Sequence, residues 1–264
     1  MEEPATVFFT GTAGAGKTSF VAAFRSWLSA AGYDASVVNL DPGSESTSLD
    51  PDIDIREWVR LPEVMAEYDL GPNGAQVAAA DMVALKVFEV KQALSELHSD
   101  YILIDTPGQV ELFAFRESSR ALVEALGGDR SMIAFLFDPA LAKSPGGYVS
   151  LLMLSATVEF RFRLPTINLL TKSDLLDAGV VEEILGWGED PERLLEAVGR
   201  EGPAPEVQLS SGMFRSIEAM APQMTVLPTS SRDRTGFEEV YRHLQQVFEG
   251  GADLEPSHAA PDGG

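Results

Sequence analysis

The chain has 264 residues, 45% of them hydrophobic, enough to fill the core of one large α/β domain or two small ones. It has no cysteine, which excludes a disulfide framework and a thiolate metal site, and no apolar run of about eighteen residues that could span a membrane. Forty-one acidic residues against nineteen basic ones give a formal charge of −22, a surface that repels nucleic-acid phosphates and so disfavours direct DNA or RNA binding. The acids are scattered, which favours a solvated surface suited to high salt over a face that seeks a basic partner. The start, MEEPATVFF, is acidic and its apolar run is too short for a secretory signal, so the expected location is cytoplasmic.

In chain order, Thr6–Thr10 reads as a buried strand that breaks into glycines and matches G-x-x-x-x-G-K-[ST] through Gly11, Gly16, Lys17 and Thr18. Phe20, Phe24, Trp27, Leu28 and Ala31 then recur at helical spacing, and Gly32 stops that helix. Strand, glycine loop and helix are the context in which this pattern cradles a polyphosphate. Side-chain-free turning at Gly11, Gly14 and Gly16 lets successive N–H groups face the phosphates, from Ala13 and Ala15 to Ser19 at the positive end of the helix. Lys17 would reach the β- and γ-phosphates, and the Thr18 hydroxyl would ligate Mg²⁺.

Ala35–Leu40 is a second buried strand, ending in Asp41-Pro42-Gly43. Asp41 is either a carboxylate at the ligand edge of the sheet or merely the start of the turn. Residues 50–75 are less regular, with short helical turns near 55–59 and 62–68; Gly71-Pro72-Asn73-Gly74 reads as a tight surface loop. Gln76–Leu97 comes next as one long helix. Tyr101–Ile104 is a third strand and runs into Asp105-Thr106-Pro107-Gly108-Gln109, the Walker B arrangement. Asp105 would hold Mg²⁺ directly or through water, the Gly108 N–H would meet a γ-phosphate, and the Gln109 amide stands where it can orient an attacking water.

Glu117–Leu126 is a helix and Ser131–Phe137 a fourth strand; a Leu- and Met-dense helix near 147–160 suits core or subunit contact. Pro165–Leu170 is a fifth strand and delivers Thr171-Lys172-Ser173-Asp174. The Asp174 carboxylate there could accept from guanine N1–H and N2–H₂, a donor pair adenine lacks, while the Lys172 stem would cover the base. Residues 177–222 read as a charged, peripheral helical insertion within a single domain spanning 1–249. Met224–Leu227 is a sixth strand, and backbone N–H groups of the adjoining Ser230 and Ser231 could meet guanine O6. Phe237, Val240, Tyr241, Leu244, Val247 and Phe248 mark an amphipathic helix, and the acidic, Gly- and Pro-rich tail 250–264 reads as disordered. The expected fold is α/β, a three-layer P-loop NTPase arrangement with a mainly parallel central sheet and helical insertions.

The order GTAGAGKT, NLDP, GPN, DTPGQVELF, TKSD and PTSS resembles the GPN-loop GTPases, a family in the dimeric branch of P-loop GTPases, over roughly residues 5–248. The short tail is more similar to the single archaeal-type member than to the long-tailed eukaryotic paralogues. The resemblance implies a homodimeric, Mg²⁺-dependent switch that hydrolyses GTP to GDP and phosphate. It implies that Gly71, Pro72 and Asn73 reach the phosphate end of the partner's nucleotide in place of an arginine finger. Asp41, Gln109 and Glu111 would position or polarise the water in cis. Two departures stand out: Thr171 where many GTPases have Asn, weakening a loop tether, and Ser231 where a small Ala is commoner.

Three rival readings share these residues. A dimeric ATPase of the same fold carries an additional lysine in a deviant phosphate loop, where Thr12 and Ala13 stand here, and TKSD argues for guanine. A metal-delivery GTPase needs a His/Cys cluster, against which His98, His243 and His258 are widely separated. An assembly or chaperone-like factor, for example for RNA polymerase as the eukaryotic relatives imply, would use its nucleotide mainly as structure and act on a protein client of unidentified kind.

Overall fold

A computed structural model describes residues 3–44, 49–201 and 225–249. Its strands are β1 Ala5–Gly11, β2 Ala35–Asn39, β3 Ile53–Asp54, β4 Tyr101–Asp105, β5 Ser131–Phe137, β6 Thr166–Leu170 and β7 Val226–Pro228. They form one sheet in the order β3-β2-β4-β1-β5-β6-β7, parallel at every pairing. Buried on both faces, such strands read as unbroken apolar runs, which is why TVFF, YILI and SMIAFLF were legible. Alternation sends Phe8, Val38, Ile104 and Phe135 into one core and Val7, Phe9, Val37 and Leu103 into the other.

Helix α1, Lys17–Ala30, and the last described helix, Phe237–Glu249, cover the second of these faces. Phe237 meets Phe20 and Phe24 with ring centroids 5.0 and 5.3 Å apart. The first face is covered by α2 Leu61–Tyr68, α3 Pro72–Leu85, α4 Val87–Glu96, α5 Val110–Ala114 and α6 Glu117–Leu126. It continues with α7 Pro139–Ala142, α8 Pro145–Phe162, α9 Ala178–Glu189 and α10 Pro191–Glu201. The sandwich of helices, sheet and helices is the three-layer α/β architecture expected. No helix among the described residues is long and apolar enough to cross a membrane.

Two expectations are corrected. Gly71-Pro72-Asn73-Gly74 is not a free surface loop: Gly71 is the N-cap of α3 and Pro72 its first residue. Proline lacks the N–H that a first helical turn leaves unpaired, and its fixed φ suits the start, so turn-formers here open a helix. The long helix expected over 76–97 is broken at Lys86 (φ −96°, ψ 8°), whose N–H turns back to Val83 O at 3.0 Å. Strand β3 and the short helices α5 and α7 are additions. In the 177–222 insertion, Trp187 packs on Tyr148 with centroids 5.6 Å apart and Leu194 is fully buried, so its described part is fastened to α8. Residues 202–222, Met224 and the tail 250–264 lie outside the described residues.

Close approach of β1 and β5 fixes the exit of the central strand. Gly11 has φ +150°, and a Cβ added there would lie 2.5 Å from the Leu136 carbonyl oxygen. Gly11→Ala is expected to destabilise the protein by about 2–4 kcal/mol, read as a lower urea midpoint at unchanged slope.

Candidate nucleotide and catalytic site

Every motif read from the sequence except Gly71-Pro72-Asn73 lies beyond the carboxyl edge of a strand: the phosphate loop after β1, Asp41 after β2, Asp105–Gln109 after β4, Thr171–Asp174 after β6 and Ser230 and Ser231 after β7. That edge of a parallel sheet is where ligands bind. Gly16 takes the left-handed conformation (φ +88°) that turns the loop into α1, and Phe20 N–H donates to Gly16 O at 2.9 Å. Ala13, Gly14 and Ser19 are exposed and Ala15 is buried.

Lys17 is only 6% exposed, and its Nζ donates to Gly11 O (3.1 Å), Thr12 O (3.1 Å) and Gly108 O (2.9 Å). Burial pulls its ammonium below the usual lysine value, opposed by the charges of Asp105, Asp41 and Glu111. Thr18 Oγ1 donates to Asp105 Oδ2 at 2.7 Å, whereas the buried Asp105 Oδ1 has no hydrogen-bond partner. Burial pushes the Asp105 carboxyl up to about 6, against the pull of Thr18 and Lys17. An orphaned carboxylate oxygen beside a threonine hydroxyl suits a hard divalent cation. Among the described residues no cluster of three or more His, Cys, Asp or Glu converges. Thr18 and Asp105 would therefore hold Mg²⁺ together with phosphate oxygens and water, as that ion prefers.

Asp41 both starts the turn and stands at the carboxyl edge of the sheet. Its Oδ1 accepts from Gly43 N–H (2.9 Å), closing the turn, and its Oδ2 accepts from Gly108 N–H (3.0 Å), the group expected to meet a γ-phosphate. Leu61 N–H in turn donates to Pro42 O at 3.2 Å, tying this turn to the head of α2. Gln109 is exposed, and its Nε2 donates to Gln76 Oε1 at 3.0 Å. Both amides line a cavity of about 200 Å³ with Ala13, Asp41 and Gly108. A larger cleft, about 440 Å³, lies on the far side of Pro42 between Asp54, Arg56 and Arg60, and no phosphate-loop residue lines it. Glu111 is exposed on α5, within electrostatic reach of Lys17. Gly71, Pro72 and Asn73 face solvent and do not line the cavity of their own chain.

At the base end, Thr171 Oγ1 lies 2.7 Å from Ala15 O, its nearest acceptor, so the hydroxyl supplies the tether to the phosphate loop that an asparagine was expected to be needed for. Lys172 (φ +52°) donates to Gly14 O (2.5 Å) and Asp138 Oδ2 (3.1 Å). Asp174 is exposed in a single 3-10 turn, and Ser173 N–H donates to Thr229 O at 3.0 Å, holding the TKSD and PTSS segments side by side. Ser230 is buried and its Oγ accepts from Arg232 N–H at 3.2 Å; Ser231 is half-buried. Sequence reasoning missed Gln76 and Asp138. Asp138 carried a signal, a carboxylate closing an apolar strand in the manner of Asp41 and Asp105; Gln76, a lone amide in an alanine-rich helix, carried none.

A glycine loop cradling a buried lysine, with a hydroxyl–carboxylate pair at the edge of a parallel sheet, defines a P-loop nucleotide-binding protein of the GTPase class. The model of a family described as conserved hypothetical ATP binding proteins matches residues 9–250. A GPN-loop GTPase of Pyrococcus abyssi is 34% identical over 89% of this chain and 93% of its own length, and the crystal structure of a P. abyssi GTPase in apo form superposes with a TM-score of 0.83 at 32% identity, covering 93% of this chain and 99% of that one. GPN-loop GTPase 1 of Schizosaccharomyces pombe is 29% identical over 93% of this chain, which spans 64% of that longer relative. The chain belongs to the GPN-loop GTPase family.

Proposed function

We propose that this GTPase is a cytoplasmic, Mg²⁺-dependent homodimeric switch in which Asn73 of each protomer acts on the nucleotide of the other. The observation that carries this reading is the placement of Gly71-Pro72-Asn73: solvent-facing, at the head of α3, and outside the phosphate cavity of its own chain. A group meant for another site would sit there. Val77 and Leu85 on α3 and Phe88 at the start of α4 are 41, 78 and 73% exposed, apolar surface that a second copy would cover. Asp81, on α3 between Val77 and Leu85, is tied to Arg116, whose hydrogen bond holds its carboxyl below the usual range, and Ser118 Oγ donates to it at 2.9 Å, so the helix is a firm platform.

Within one protomer, Lys17 and the phosphate-loop amides take the triphosphate, and the Asp174 carboxylate selects guanine. That selection favours GTP over the ATP of the family model's description. Mg²⁺ would neutralise charge on the β- and γ-phosphate oxygens. Gln109 and Asp41 orient the water, with Glu111 at the periphery; phosphoryl transfer asks the protein mainly for position and electrostatics. Gln109→Leu is expected to slow single-turnover GTP hydrolysis by about 10- to 100-fold with GTP affinity within about twofold of the parent. Unchanged turnover per bound nucleotide would remove the water-orienting role, and a preference for ATP in competition would remove the role of Asp174.

A further inference from the structure

We infer that Gln76 is a positioning residue for hydrolysis, holding the Gln109 amide in the orientation that serves the attacking water; this rests on the water-orienting reading of Gln109. The geometry is specific. Gln109 Nε2 donates to Gln76 Oε1 at 3.0 Å, and both side chains line the cavity shared with Ala13, Asp41 and Gly108. With an Nε2–H given to Gln76, the Gln109 carbonyl oxygen is the half of the amide left to accept from a water.

The need for such a hold arises from where Gln109 sits. It is exposed at the end of the loop after β4, and a glutamine has three side-chain torsions, so unsupported it spends most of its time in orientations of no use to a reaction. Gln76 can supply the support because its own footing is fixed. Ala75 and Ala79 on α3 are fully buried, and Asp81 further along binds Arg116 and Ser118. In the segment Gly74-Ala75-Gln76-Val77-Ala78-Ala79-Ala80, Gln76 is the one residue whose side chain can accept a hydrogen bond. It lies one turn after Asn73 on the same helix, so the element that would serve the partner's site through Asn73 also holds the water-orienting amide of its own site.

The test is single-turnover GTP hydrolysis by the full-length protein with Gln76→Leu, Gln76→Glu, Gln109→Leu and the double variant Gln76→Leu/Gln109→Leu. Gln76→Leu loses the acceptor, and is expected to lower the hydrolysis rate about five- to tenfold with GTP affinity within about twofold. Gln76→Glu keeps an acceptor and is expected to stay within about threefold of the parent, while Gln76→Leu costs nothing further in the Gln109→Leu background, the coupling expected of two residues acting as a unit. A parental or faster rate for Gln76→Leu, an equal loss in the Gln109→Leu background, or a Gln76→Glu variant as slow as Gln76→Leu would each overturn the proposal. A parental rate for Gln109→Leu removes the reading of Gln109 and this proposal together; a slow Gln109→Leu beside a normal Gln76→Leu removes this proposal alone.

Discussion

Asn73→Ala is expected to slow GTP hydrolysis by about 10²- to 10³-fold, the range lost when one preorganised donor is taken from a developing oxyanion. GTP affinity and the unfolding midpoint of the protomer should stay unchanged, because Asn73 is exposed on the first turn of α3 while the fold-bearing residues of that helix are Ala75, Ala79, Ala80 and Val83. The decisive measurement mixes this variant with Lys17→Ala, which lacks the phosphate-binding ammonium. On the proposed arrangement each variant alone should be close to inactive: one has binding sites but no Asn73, the other has Asn73 but no competent site. In a mixed dimer of the proposed arrangement the Asn73 of one protomer would face the intact phosphate loop of the other. Equal mixing should therefore restore about a quarter of parental activity, since half the dimers are mixed and each carries one complete site. A mixture as inactive as its components would place Asn73 in its own protomer's chemistry and remove the reciprocal arrangement.

Asp105→Asn is expected to have opposite effects on stability and on activity. In the parent the carboxyl titrates near 6 because it is buried, whereas an unfolded chain gives it an ordinary aspartate value near 3.9. Between those values the folded protein keeps a proton that the unfolded chain has lost, so in chelator this group makes stability fall as pH rises from about 4 to about 6, and the cost persists above. Asparagine can still accept from Thr18 and carries no charge to desolvate. At pH 7.5 in chelator the variant should be roughly 2–3 kcal/mol more stable than the parent, and the difference should vanish below about pH 4. With Mg²⁺ and GTP the effect on activity is the opposite: the variant should lose about 10³-fold in hydrolysis, because with the amide oxygen accepting from Thr18 the position of Asp105 Oδ1, free to meet the cation, is taken by an NH₂ that cannot ligate it. Urea unfolding at several pH values in chelator reads the first effect, and single-turnover GTP hydrolysis with magnesium reads the second. Equal stability at pH 7.5 would show that Asp105 is not held against its own desolvation.

Much of this arrangement was legible in the sequence because a parallel sheet writes its strands as apolar runs and its ligand edge as the few residues directly after each run. Lys17, Asp105 and Thr171–Asp174 were found that way. The same rule applied once more would have found Asp138, which comes straight after SMIAFLF and holds Lys172. The start of α3 was misjudged because Gly-Pro-Asn-Gly has the same composition whether it closes a turn or opens a helix; burial of Ala75 and Ala79 decides, and burial is a tertiary fact. The break at Lys86 had no local mark, neither Gly nor Pro. Gln76 was invisible because its significance lies in a contact with Gln109, 33 positions away, that only the folding of α3 over the loop after β4 creates.

One amide hydrogen cannot serve two acceptors fully. Gly108 N–H already serves Asp41, so a terminal phosphate that claimed it would turn that carboxylate out, and Pro42 with it. The carbonyl of Pro42 is the footing of Leu61 at the head of α2. The arrival or loss of a single phosphate group would thus be felt as a change in how a neighbouring helix is seated, a lever pivoting on a proline, with no exchange of the sheet's own bonds required.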